Sequence, residues 1–130
     1  MDKTIITRTF NKTISEFLDD IIEIIPEKQD VQNTKMYLDA IKSINPSLLI
    51  KVWYKHIYEI YGIQIESGDI SFFINKNYVE DINIMQNANE VLHSIDKIRG
   101  PIRDMSEKNK EISMKYLQKL TQLSVLYNNM

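Results

Sequence analysis

Apolar positions recur at helical spacing over most of the chain. Phe10, Ile14, Phe17, Leu18, Ile21 and Ile25 form one stripe, while Glu16, Asp19, Asp20 and Glu23 lie largely off it. A first helix is therefore expected to end at Ile25, because Pro26 disfavours helical geometry in the residue before it. Residues 1–9 lack that periodicity and read as a loosely ordered N-terminal arm, leaving 10–130 as a single helical domain. A second stripe of Val31, Thr34, Leu38 and Ile41, with Tyr37 and Ile44 at its edge, predicts a helix capped by Asp30. Asn45–Pro46 opens a third, since Pro at a first helical position lacks only an N–H that would be unpaired there anyway.

That third helix carries apolar or aromatic residues on nearly every face: Leu48, Leu49, Ile50, Val52, Trp53, Tyr54, Ile57, Tyr58, Ile60 and Tyr61. A helix apolar all round is a buried one, so it is expected at the centre, with Lys51, Lys55 and Glu59 as its solvent strip and Gly62 as its left-handed cap. The run Ile63 to Tyr78 alternates enough for two short strands, but an isolated hairpin is marginal in water, and a turn with a short helix is preferred. A fourth helix is expected from about Val79 to Arg99, with Ile82, Met85, Ala88, Val91, Leu92, Ile95 and Ile98 inward and Gly100–Pro101 as its break. Ser106 caps a fifth, whose stripe is Ile112, Tyr116, Leu117, Leu120, Leu123, Ser124 and Tyr127. The fold class that follows is all-α, a compact bundle of about five helices around a buried central helix.

Composition narrows the chemistry. A length of 130 residues is enough for one core without covalent staples, and the absence of cysteine removes disulfides, thiolate metal sites and cysteine nucleophiles. No apolar run is long enough to span a membrane and no signal-peptide pattern opens the chain, so a soluble intracellular protein without a membrane partner is expected. Charge is unevenly spread: residues 1–58 are neutral, 59–96 carry −6 and 97–130 carry +4. Abundant Ile and Asn beside Lys point to an A/T-rich genome.

Candidate catalytic and cofactor residues do not emerge. The three glycines, Gly62, Gly68 and Gly100, stand alone, without a phosphate-cradling loop. Glu90-x-x-His93 has the spacing of a di-metal bundle ligand pair, but the second such pair and the further carboxylates are missing, so no metal and no cofactor is expected. His56 reads as a core histidine more readily than as a proton-transfer group, which would need a pocket and a second polar group. Two surfaces remain. Seven of the twelve aromatic residues fall between Asn45 and Asp81, and Trp53, Tyr54, Tyr58, Phe72, Phe73 and Tyr78 are the candidate partner-binding residues, since Tyr and Trp dominate interface hot spots. Arg99, Arg103, Lys108 and Lys110 are the alternative, a nucleic-acid contact, against which the acidic pI of about 5.7 weighs.

A resemblance adds a setting. A helix ending in Pro (Phe17 to Pro26), the Asn45–Pro46 start, the turn Gly68-Asp-Ile-Ser-Phe-Phe73 with Tyr78, and the closing segment from Ser106 to Gln118 resemble small helical proteins of nucleocytoplasmic large DNA viruses. Met114 stands where that group is expected to carry Trp. The resemblance implies a viral origin, placement in the host cytoplasm at a viral factory or in the virion, and no activity. The expected function is thus a non-enzymatic interaction module docking a viral or host protein through an aromatic-rich face. The alternatives are a virion or replication-factory component contacting nucleic acid, and a helical-bundle metal enzyme using Glu90 and His93. Oligomeric state is not legible in the sequence.

Overall fold

A computed structural model of the chain describes residues 2–71, 74 and 86–130. In chain order these form α1 (Lys3–Ile24), α2 (Gln29–Ile44), α3 (Leu48–Trp53), a π-helical turn (Tyr54–Tyr58), α4 (Glu59–Ser67), α5 (Gln86–Asp96), α6 (Arg99–Arg103) and α7 (Glu107–Asn128). Every regular element among the described residues is helical, so the all-α reading holds.

The first correction concerns residues 1–9. From Lys3 onward they are not an arm but the opening turns of α1, begun by Asp2, whose carboxylate accepts from the Ile5 N–H at 2.9 Å. Ile6 extends the Phe10–Ile14 row backward by a further four residues and is buried with it. Two threonines satisfy their own hydroxyls inside the helix: Thr9 donates to the Ile5 carbonyl at 2.8 Å and Thr13 to the Thr9 carbonyl at 2.7 Å. At its other end α1 stops one residue before the expected Ile25, with Ile24 the last helical residue and Ile25 the cap.

Smaller shifts follow the same logic. Asp30 lies inside the first turn of α2, after Lys28 at the cap position, where its charge still favours the helix N-terminus. Asn45 and Pro46 form the turn that closes α2, and helical geometry resumes only at Leu48. Gly62 is not a cap; the helix runs through it to Ser67, and Gly68 closes it with φ 78°. The helix expected to reach Arg99 ends at Asp96, and Gly100 and Pro101 do not break it but lie in the first turn of α6, where a Pro forfeits no intrahelical bond. The start of the expected fourth helix, with Ile82 and Met85, lies outside the described residues.

α3, the π turn and α4 run on without a gap, and they present a core row of Trp53, Ile57, Tyr61 and Ile65, each 4% exposed or less. Positions four apart in a straight α-helix drift by about 40° per step, because four residues exceed one 3.6-residue turn. The π turn absorbs that drift by taking in an extra residue: the Glu59 N–H bonds the Tyr54 carbonyl, five residues back. The opposite flank is open, with Ile60 45% and Ile63 83% exposed, so this helix is two-sided rather than apolar-and-buried all round.

α7 packs along α1 and against α3, the π turn, α4 and α6. Phe10 meets Trp53 edge-on, with centroids 5.9 Å apart, and Phe17 stacks on Tyr116 at 4.9 Å. The α7 stripe is rotated from the expected one: Leu117, Leu120, Leu123 and Ser124 are buried as expected, but Ser113, Met114 and Thr121 join them while Ile112 is exposed. Each buried hydroxyl has a partner that makes this possible. Thr121 accepts the Trp53 indole N–H at 2.9 Å, Ser124 donates to the Thr121 carbonyl at 2.7 Å, and Ser113 donates to the Met105 sulfur at 3.7 Å.

Candidate functional site

The π turn sets the geometry of the aromatic edge. Tyr54 and Tyr58, both half-buried, stack at 5.2 Å with their planes 29° apart. Gly62 lies beneath Tyr58: a Cβ there would fall 3.0 Å from two atoms of its ring, so the absence of a side chain lets the ring lie flat on the helix. Trp53, expected on the same face, is only 2% exposed and bonded to Thr121, which places it in the core and removes it from any docking surface. Phe72, Phe73 and Tyr78 lie outside the described residues.

Two hollows meet at Tyr58. One, of about 580 Å³, runs between α4 and the end of α7 and is lined by Ile65, Gln118, Thr121, Val125 and Leu126. The other, of about 360 Å³, lies over Glu59, Ile60, Gly62 and Ile63, and both hollows share Tyr58 and Glu66. Their linings contain two carboxylates, Glu59 and Glu66, and no basic residue. Leu126, 51% exposed, and the open Ile60 and Ile63 make the rims apolar. In the π turn itself His56 is half-buried; burial lowers its pKa below 6.5, the Lys55 charge lowers it further, and Glu59 opposes both.

Sequence reasoning found Tyr54 and Tyr58 but missed Ile63, Val125 and Leu126. Ile63 falls in the run for which a turn with a short helix is expected after a Gly62 cap, and α7 residues enter the site only through tertiary packing.

The basic quartet is not a uniform cationic surface. Arg99 meets Asp96 at 2.7 Å as an ion pair lacking the alignment of a hydrogen bond, and its side chain is only 15% exposed. Lys110 pairs with Glu107 at 3.5 Å and is largely covered. Arg103 and Lys108 are exposed. Glu90 accepts from the Tyr37 hydroxyl at 3.3 Å, and no group of three or more acidic or histidine side chains gathers around it or His93 among the described residues. No described helix is long and apolar enough to cross a membrane.

No protein-family model matches this chain, and neither a curated protein nor a solved structure does.

Proposed function

We propose that this chain is a non-enzymatic helical interaction module that docks another protein through the edge built on Tyr54 and Tyr58. The observation that carries this is the pair of hollows meeting at Tyr58 with exposed Ile60, Ile63 and Leu126 at their rims. Scattered exposed apolar residues need no explanation, whereas several gathered beside concave surface and a half-buried tyrosine stack are the usual makings of an anchor site. The acidic linings favour a partner segment with an apolar anchor and basic flanks, its charges meeting Glu59 and Glu66. The large-DNA-virus setting, with a viral or host partner in the cytoplasm or the virion, rests on the motif resemblance alone. The nucleic-acid reading has less support, because two of its four cations are already paired with carboxylates.

The test is affinity capture from infected cells with nuclease present, comparing wild type with Tyr58→Ala, Ile63→Glu and a control, Arg103→Ala/Lys108→Ala. A stoichiometric partner retained by wild type and by the control, and lost by the two edge variants, is the expected result. A partner held equally by the edge variants would refute this face. Loss of every partner on nuclease treatment would move the assignment to nucleic acid.

A further inference from the structure

Charge on this chain is segregated by helix, and the fold leaves much of it unneutralised. The only charged residues of α4 are Glu59 and Glu66, both exposed. α7 exposes Lys108, Lys115 and Lys119, beside Glu111 and a Glu107 already paired with Lys110. Among the described residues no Lys or Arg lies within ion-pair distance of Glu59 or Glu66, and no carboxylate within that distance of those three lysines. The acidic and basic stretches of the sequence have therefore not been folded onto each other, although the two helices that carry these charges pack together.

Their packing shapes one open valley. A third hollow, of about 350 Å³, lies where Gly68 and Ile70 approach Glu107, Met114, Lys115 and Gln118. Gln118 also lines the hollow at Tyr58, so the two are continuous along α4 and α7. The helices run in opposite senses there, since Tyr58 shares its hollow with Leu126 and Gly68 shares the next with Glu107. The register is fixed by Gln118, whose amide donates to the Ile65 carbonyl at 3.0 Å. Glu66, next to Ile65 in sequence, is thus level with the turn of α7 that carries Lys115 and Lys119, yet across the valley from them.

We infer that a second copy of this chain fills the valley, related to the first by a two-fold axis running along it. Such an axis keeps every residue at its own level and moves it to the other side, so α4 of one copy lies on α7 of the other. Glu66 of each copy then meets Lys115 and Lys119 of the other, and the exposed Ile63 of each meets the exposed Leu126 of the other at the Tyr58 end. An isologous interface must be self-complementary, and this surface carries both halves: acids with an open isoleucine on α4, lysines with open Ile112 and Leu126 on α7. The inference rests on the docking reading, because it uses the same edge, and it names the occupant of that edge. The apolar anchor with basic flanks that Glu59 and Glu66 call for is α7 itself.

The experiment is analytical ultracentrifugation of the purified full chain, with charge reversals at exposed positions that make no ion pair. Wild type should show a reversible monomer–dimer equilibrium that weakens as salt is raised from about 0.05 to 0.5 M, as exposed charges are screened. Glu66→Lys alone, and Lys115→Glu/Lys119→Glu alone, each place like charges opposite one another at both contacts and should weaken the dimer at least roughly tenfold. The triple variant carrying all three reversals should dimerise again. A monomer at every concentration up to about 1 mM, an affinity too weak to hold the edge, would overturn the inference, as would a dimer indifferent to the reversals or a triple variant that stays dissociated. A monomeric chain whose Tyr58→Ala and Ile63→Glu variants still lose a captured protein would sink the second copy alone. A dimer that follows the charge reversals but ignores those two variants would keep the second copy and remove the docking edge.

Discussion

Thr121→Val isolates one bond on which the packing of α7 depends. Trp53 and Thr121 are 2% and 3% exposed, and the indole N–H reaches the threonine hydroxyl at 2.9 Å. Valine keeps the shape and removes the acceptor, so the cost is that of an orphaned buried donor, about 1–3 kcal/mol. Thr121→Ser keeps the acceptor and deletes a buried methyl group, which should cost about 1 kcal/mol. Trp53→Phe removes the donor, and in its background Thr121→Val should lose much of its effect, giving a coupling of about 1 kcal/mol. Urea unfolding followed by far-UV circular dichroism measures wild type and the four variants on one footing. Trp53 is the only tryptophan, so its emission reports the same bond independently and should change in Thr121→Val. A Thr121→Val protein as stable as wild type, or effects that simply add in the double variant, would refute the bond and with it the reason given for the rotated face of α7.

Three further outcomes are expected. Tyr116 donates to the Asp20 carboxylate, and that bond, with burial and the nearby acidic charge, pushes its pKa up to about 12. The folded value lies above the ordinary 10, so the contribution is full below pH 10 and is lost as pH rises through 12; absorbance titration should find a tyrosine near 12 that is absent in Tyr116→Phe, beside Tyr37, which burial also raises. His56 behaves with the opposite sense: its folded pKa lies below 6.5, the unfolded chain binds the proton first, and stability falls as pH drops through 6.5 toward the folded value. His56→Gln should flatten that part of the pH–stability curve, and an NMR pKa at or above 6.5 would contradict the burial argument. Gly62→Ala gains about 0.5–1 kcal/mol of helix propensity yet forces the Tyr58 ring off the helix, so stability should change little while partner capture falls. Large destabilisation would mean that the ring cannot move.

The helical class and most boundaries were legible because each rests on local chemistry. Pro26 stops α1 through its effect on Ile25, and Ser106 begins α7 by accepting the Asn109 N–H, both visible in a few adjacent residues. The misreadings share a different cause. Thr4, Thr7 and Thr9 are poor helix formers in isolation, and only the burial of Ile6 with the Phe10 row commits that stretch to α1. Ile112 is more hydrophobic than Ser113, yet the serine is buried, because its hydroxyl finds Met105 and its neighbours on α7 find Trp53. The same holds for the sites: Tyr54 and Tyr58 were legible as aromatic residues, but the walls contributed by α7 were not.

The π turn joins core and surface in a single device. On the buried side, Trp53, Ile57, Tyr61 and Ile65 repeat every four residues, a spacing that a straight α-helix would rotate progressively out of the core. An extra residue per turn between Tyr54 and Tyr58 corrects the drift, and it leaves Tyr54 and Tyr58 stacked beside the open flank. Wide turns of this kind are less stable than α geometry and persist where surrounding packing compensates, which Trp53 and Ile57 provide from below. A glycine at 62 then becomes necessary for a surface reason, since the displaced Tyr58 ring occupies the space a Cβ would need. Restoring plain α-helix by deleting one residue of the turn would therefore have to move either the core row or the tyrosine pair, and no single deletion can preserve both.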